Sequence, residues 1–576
     1  VANFYLDNRD IRFHLQETAH PDMERVVRLV EGDFAEKDRY PHAPEDVQDA
    51  LDNYSRVLEI VGGIAGDTAA PLARGVDREG AHFEQGEVRY SEGTKKSLHR
   101  LGQADLMGFT LPRKYGGLNC PKTVYSLAIE IISRADGSLM NLFGLQEIAD
   151  TIDRFGSEEQ KQRYLPRFAT GEATGAMALT EPDAGSDLQN IRLRAEQDEA
   201  GGWLLSGVKR FITNGCADIV LVLARSEPGL SGGRGLSLFI YQRDENMRIR
   251  RIEDKLGIHG SPTCEMQFNK APAELLGRRK MGLVRYTLSL MNGARLAVAA
   301  QAVGIAEAAF RQARSYAGYR RQFNSPIAEF PAVREMLSQM RVNIEAARSL
   351  VVETSRIVDI QERLEKEMEK GSGDSKQIKE EVRRYNRYAS FFTPAVKIFA
   401  TEMANKVCYD ALQVHGGPGY TRDFEVERLF RDVRITNIYE GTTQLQVVGA
   451  IGSLMTGALS ERLDEYEAAY DFSGVEPLFS RTRDLRRSLE QAVSSVREQN
   501  DSELQQYHAG RLLEMANDAV LAYLLCIDAL SNENKLETAR VFITMAGSRS
   551  TANLSFIRDT LDTVLHKRVP LEDGQK

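Results

Sequence analysis

Cysteine is scarce in this chain. Cys120, Cys216, Cys264, Cys408 and Cys526 are the only five in 576 residues, with no Cys-x-x-Cys pair and no histidine at ligand spacing. That excludes a disulfide scaffold, opposes structural zinc or any other metal site, and fits a reducing compartment, so all five are expected as buried or free thiols. No uncharged apolar run approaches the ~18 residues of a membrane span, and the first dozen residues carry Asp7, Arg9, Asp10 and Arg12 in place of a leader's apolar core. A cytoplasmic protein without an integral membrane segment is expected. Positive charge is not in excess either: 74 Lys and Arg stand against 83 Asp and Glu, a net charge of −9 spread along the sequence, which argues solubility rather than nucleic-acid binding. No repeat of about 20–50 residues stands out, which argues against a solenoid. Gly62, Gly63 and Gly66 follow an apolar run but do not complete Gly-x-Gly-x-x-Gly after a strand, so a dinucleotide-binding loop is rejected there.

What is present divides into roughly four units, as a chain too long for one core should. Residues 1–172 read as an N-terminal helical domain: Val47 to Ile64, Gly93 to Leu106, Tyr125 to Ser133 and Ser157 to Phe168 carry apolar residues at three- and four-residue spacing. Pro112 and Gly116-Gly117 punctuate one connection. Residues 173–280 read as a β domain, with β-prone runs at Ala176 to Thr180, Trp203 to Ile212, Ile219 to Arg225, Leu236 to Tyr241 and Cys264 to Phe268. The helical period returns over 281–455, in Met281 to Ala317, Ala332 to Lys370, Ser375 to Gly416 and Glu440 to Leu459, with Gly371 to Asp374 as a hairpin tip between two long helices. After a break at Gly474 and Pro477, residues 456–576 form a further helical unit through Leu485 to Val496, Leu512 to Ala529 and Leu536 to Ala546. The fold class is α+β: helical domain, β-barrel or sandwich, helical bundle, and an extra C-terminal helical domain.

The chemistry is placed in Arg431-Asp-Val-Arg-Ile-Thr-Asn-Ile-Tyr-Glu-Gly-Thr-Thr-Gln444, where one carboxylate, Glu440, stands between Tyr439 and Gly441. Alone, a Glu-Gly pair is more often a surface loop. Five other blocks lie in order with it: Ala178-Leu-Thr-Glu-Pro-Asp-Ala-Gly-Ser-Asp187, Gly207-Val-Lys-Arg-Phe-Ile-Thr-Asn-Gly215, Asp254-Lys-Leu-Gly-Ile-His-Gly-Ser-Pro262, Arg320-Arg-Gln-Phe323 and Gln413-Val-His-Gly-Gly-Pro-Gly419. In these blocks, and in its order of helical, β and helical parts, the chain resembles the acyl-CoA dehydrogenases. The resemblance covers about residues 90–450. Asn8-Arg-Asp-Ile-Arg-Phe13 and the C-terminal unit are similar to those of the family's longer branch, of roughly 600 residues.

The resemblance implies FAD as cofactor. It makes Leu179, Thr180, Phe211 and Thr213 flavin-side residues, and Ser186 a contact to the pantetheine end of an acyl-CoA. A flavin is flat, wide and polar around its rim, so threonine hydroxyls and an aromatic wall suit it. Arg320 is implied at the pyrophosphate and Phe323 at the adenine, with Gln413 and Gly417 nearby, all reaching the cofactor of a neighbouring subunit; Thr442 and Gln444 belong to the same cofactor set. An arginine fork suits phosphate. A homodimer or dimer of dimers follows. The chain departs from the family in having Phe211 where tryptophan is common, and Asn324 and Pro331 where many members carry Gly and Gln.

The implied reaction is α,β-dehydrogenation of an acyl-CoA to the trans-2-enoyl-CoA. Glu440 takes the α-proton, hydride passes from Cβ to flavin N5, and electrons go on to electron-transferring flavoprotein. An ordinary carboxylate is a weak base for this, so desolvation must raise its pKa and hydrogen bonds to the thioester carbonyl must acidify the substrate. Tyr439 and Gly441 set the backbone geometry there. Some members carry the base on a helix just before an arginine; here that place is Ala294, before Arg295, which leaves Glu440. Arg295 is assigned to loop or site electrostatics and Asn292 to CoA contact, each with a structural role as the alternative. Rival readings are an acyl-CoA oxidase, a 3-methylthiopropionyl-CoA dehydrogenase and a DNA-binding flavoprotein on the same scaffold. Against the last, residues 456–576 hold 14 Lys and Arg against 20 Asp and Glu, a surface that repels DNA.

Overall fold

The computed structural model describes residues 2–17, 21–371 and 375–565; the tip at Gly371 to Asp374 falls largely outside them. The helix Val47–Ile64 has the bounds its apolar period predicts, with Asp46 capping its start by accepting from the Asp49 N–H at 2.9 Å. Glu158–Ala169 opens on a capping box formed by Ser157 and Gln160. Helix α1 (Lys122–Ala135) is buried on nearly every face. Its first N–H groups, Lys122 and Thr123, donate to the Asp359 carboxylate at 2.7 and 2.9 Å, so the bundle supplies the cap that the local sequence lacks. A two-stranded hairpin, His82–Glu84 with Glu87–Arg89, interrupts the helical part; three residues a side are too few to show an alternation.

Seven strands form the β domain: β1 (Gly175–Ala178), β2 (Arg194–Gln197), β3 (Trp203–Thr213), β4 (Ile219–Arg225), β5 (Leu236–Gln242), β6 (Met247–Ile252) and β7 (Thr263–Leu276). The pairing runs β4–β2–β3–β7–β5 and returns from β5 to β4, closing a barrel, with β1 added on β4 and β6 on β7. β4 is buried on both faces. Val220 and Val222 face the barrel interior with Phe239, Tyr241 and Met266, while Leu221 and Leu223 pack outward against Ile148, Ile152, Leu165 and Phe168 of the N-terminal helices. That double burial is why its sequence is an unbroken apolar run. β2 and β6 carry charged residues on their outer faces and escape a reading based on apolar density.

Three long helices make the bundle: α2 (Leu288–Tyr319), α3 (Pro331–Lys370) and α4 (Ser375–His415). The segment Gly282–Tyr319 is long and apolar enough to cross a membrane by length and composition, and it is mostly buried against α1, α3 and α4. One predicted helix needs correction. Glu440 to Leu459 is not continuous: α5 (Thr443–Met455) starts after Glu440 and Gly441, whose φ angles of 54° and 92° are left-handed, and Gly457 separates α5 from Ala458–Ala469. The C-terminal helices Glu476–Glu498, Ser502–Ser531 and Leu536–Asp559 pack on one another and on the bundle. Polar contacts also tie the bundle to the C-terminal part of the chain: Ser349 donates to Asp528 at 2.6 Å, and Arg462 pairs with buried Glu353. All five cysteines are free thiols, four of them buried and Cys216 half-buried.

Candidate active site

A cavity of about 140 Å³ opens where the barrel meets the bundle. Its wall takes Leu179 and Thr180 from the loop after β1, Phe211 and Thr213 from β3, and Tyr439, Glu440 and Gly441 from the loop before α5. Met140, Asn141, Glu147, Leu290, Met291 and Ala294 complete much of the rest. Seven residues from three separate segments, all named above as site candidates, therefore line one cavity.

Local structure explains how each arrives there. β3 has a register irregularity between Lys209 and Ile212, where Phe211 adopts φ 60° and stands half exposed. The Arg210 guanidinium lies 4.6 Å from the centre of the Phe211 ring. The Leu179–Glu181 loop is held on β3 by the buried Lys209 ammonium, which donates to Leu179 O at 2.8 Å and pairs with Glu181 at 3.0 Å.

The Glu440 loop is clamped from three sides. Lys397 of α4, itself buried, donates through Nζ to Gly441 O at 2.7 Å. Gln446 Nε2 donates to Glu440 O and Gly441 O, both at 3.1 Å. The Tyr439 hydroxyl contacts the side-chain oxygens of Gln301 and, at 3.1 Å, Asn141. These contacts hold a non-glycine residue in a backbone region it seldom adopts. Burial raises the Glu440 carboxyl above its ordinary value of 4.5, opposed by the Lys397 and Arg295 charges. Burial pushes the Lys397 ammonium down to about 8, with Glu440 acting against it, and burial likewise lowers Arg295. A desolvated carboxylate facing two partly desolvated cations is more basic than a surface glutamate and remains able to ionise.

The other candidates lie elsewhere. Ser186 is exposed, although its neighbour Gly185 reaches the cavity wall. Arg295 acts on Glu440 by charge without lining the cavity, and donates to Asn292 Oδ1 at 3.1 Å. Thr442 caps α5, accepting from the Leu445 N–H at 3.4 Å, and Gln444 is exposed on its first turn. Arg320, Phe323, Gln413 and Gly417 form a second, outward group: Phe323 is 91% exposed with φ 47°, and its segment is joined to the end of α4 by Tyr316 stacking on His415 at 4.4 Å.

The Asp254–Pro262 block serves as an anchor. Ile258 N–H donates to Asp432 at 2.6 Å, and His259 and Arg431 both pair with Asp77, at 2.9 and 2.7 Å. It thereby ties the barrel and the N-terminal helices to the segment that carries Glu440.

Family models match along the chain: acyl-CoA dehydrogenase N-terminal domain over residues 55–172, middle domain over 176–271, C-terminal domain over 296–444, and a further acyl-CoA dehydrogenase C-terminal model over 455–562. The chain belongs to the acyl-CoA dehydrogenase family. Among relatives, 3-methylmercaptopropionyl-CoA dehydrogenase of Ruegeria pomeroyi is 35% identical over 432 residues, 70% of each chain. The acyl-CoA dehydrogenase of Bacillus anthracis complexed with FAD shares the fold over 90% of both chains, with TM-score 0.75 and 24% identity. A chain in the structure of the electron transferring flavoprotein of Acidaminococcus fermentans is 32% identical, with TM-score 0.60, covering 70% of this chain and 97% of that one.

The residues present fit the FAD of this acyl-CoA dehydrogenase fold. A half-exposed phenyl ring and two threonines line the cavity, groups that suit a flat ring with a polar rim. Motif reading missed Lys397, Gln446, Asn141, Gln301 and Glu147. Lys397 and Gln301 sit in helical, largely apolar stretches where only their polarity at buried positions is a signal.

Proposed function

We propose that this acyl-CoA dehydrogenase removes the α-proton of an acyl-CoA thioester with Glu440. The observation that carries this is the half-buried, left-handed Glu440 lining the same cavity as Thr180, Phe211 and Thr213. Leu179, Thr180, Phe211 and Thr213 would hold FAD, which would supply a hydride acceptor for the substrate's β-carbon. The chain's own part is to hold one oxygen pair of Glu440 toward the α-carbon, to keep water away, and to offer the Glu440 N–H to the thioester carbonyl. Ala294 on the opposing helix leaves no second carboxylate at the place before Arg295.

The outward group of Arg320, Phe323, Gln413 and Gly417 is exposed in a single chain and is suited to the cofactor of a second copy, which supports a homodimer or dimer of dimers. Electron-transferring flavoprotein is the acceptor this reading assigns, supported by the Acidaminococcus likeness, and a cytoplasmic location belongs to the same reading. A 3-methylmercaptopropionyl-CoA substrate is a second reading, favoured by the Ruegeria relative.

The test is Glu440→Gln. The variant should bind FAD and stay yellow, yet lose flavin bleaching by acyl-CoA and α-proton exchange by at least about a hundredfold. Turnover at the wild-type rate would overturn the assignment.

A further inference from the structure

The cavity that holds Glu440 has one wall unlike the rest. Among apolar residues from two helices, Glu147 contributes a carboxylate to it. Glu147 also lines an adjoining cavity of about 50 Å³ crowded with charge: Lys122, Asp150, Arg154, Asp359, Glu362 and Lys366. Glu147 and Leu290 are the residues common to both walls, so together they form the partition. The Lys122 ammonium binds both Glu147 and Asp150, and Asp150 in turn accepts from Thr110 Oγ at 2.7 Å. Lys122 and Glu147 are both buried.

Space for the carboxylate is built into α2. A Cβ placed on Gly293 would lie 2.5 Å from Glu147 Oε1, so the carboxylate occupies the room a side chain at 293 would need. Gly293 and Glu147 come from separate helical segments and are complementary in shape. The result is an ionic stop set among the apolar side chains of Leu145, Ile148, Leu290 and Met291.

An alkyl chain driven into that wall meets a paired carboxylate. Its last methylenes would displace hydration from the ion network and gain no apolar contact there.

We infer that the Glu147–Lys122–Asp150 network closes the acyl end of the site, so that the enzyme takes short acyl groups and excludes straight chains of octanoyl length and beyond. This rests on the acyl-CoA dehydrogenase reading of Glu440. In an apolar channel each added methylene strengthens binding about fourfold; here that gain stops at the network.

The experiment compares kcat/KM for butyryl-CoA and octanoyl-CoA in the FAD-loaded wild type, in Glu147→Leu and in Glu147→Gln. Glu147→Leu leaves Lys122 paired with Asp150, so no lone charge is buried. The wild type should favour butyryl-CoA by at least tenfold. Glu147→Leu should raise the octanoyl-to-butyryl ratio at least tenfold, while Glu147→Gln, which keeps the size and the bond to Lys122, should hold the wild-type order. A wild type that uses octanoyl-CoA as well as butyryl-CoA overturns the inference, as does an unchanged ratio in yellow Glu147→Leu protein. Should Glu147→Leu not fold, the wild-type chain-length profile decides alone. Flavin that no acyl-CoA bleaches would instead overturn the dehydrogenase reading itself.

Discussion

As the proposed base, Glu440 must be basic and correctly aimed, and the same side chains serve both needs. Its raised pKa means that the ionised, proton-accepting form grows as pH rises through a value above 4.5. Activity should therefore rise with pH along an acidic limb displaced upward from that of an ordinary glutamate. Lys397 is a positioning residue. Its Nζ holds Gly441 O, and its charge favours ionised Glu440. Lys397→Met should lower kcat/KM about a hundredfold at neutral pH through misplacement of the loop, and should also move the acidic limb to higher pH. A merely structural lysine would leave the limb where it is in the pH–rate profile. Glu440 itself was legible as a candidate because it stands in a block of recognisable residues. Its left-handed backbone was not, since Lys397 and Gln301, which brace the loop, lie 43 and 139 residues away from Glu440.

At the scale of elements, the barrel presents its chemistry through irregularity. β3 breaks register twice, after Leu205 and again after Lys209, where it turns Phe211 toward the cavity. The loop opposite is held by the Lys209–Glu181 pair, with Glu181 also accepting the Arg192 and Leu193 N–H groups at 2.7 and 2.9 Å. Lys209→Met would leave a buried carboxylate without its cation. We expect it to cost about 3 kcal/mol in urea unfolding and to weaken FAD retention, because the Leu179–Thr180 loop loses its staple. β4 was readable from its apolar run and β3 from its β-prone residues. β2 and β6 were not, because their outward charges dilute a pattern that only barrel closure makes necessary. The helix predicted from Glu440 onward began three residues too early: Gly441 and Thr442 are turn and cap, and apolar residues that follow a turn share the spacing of those in a helix.

Across the whole molecule, three parts of the chain meet at Asp77, His259 and Arg431. The Asp77 carboxylate raises His259 from its ordinary 6.5 to about 9. A group whose pKa is higher in the folded state stabilises fully below its unfolded value and loses that contribution as pH rises through the folded one. Stability from this pair should therefore be complete below pH 6.5 and decline toward pH 9. In His259→Gln, thermal unfolding midpoints should lose that slope over the same window. The predicted outcome distinguishes a charged tether from a neutral hydrogen bond.

The sequence by itself determined the order of helical, β and helical parts, and it singled out Glu440 and the flavin-side residues as candidates. Those follow from local periodicity and from short blocks whose side chains are neighbours along the chain. Only the tertiary structure decided that the candidates fall into two groups, one lining a cavity and one facing outward. It alone brought Lys397 beneath Gly441, and Glu147 onto Lys122 across the space left by Gly293. The physical reason is that the cost of burying a charge is settled by its partner, and here the partners come from helices that meet only once the bundle has formed.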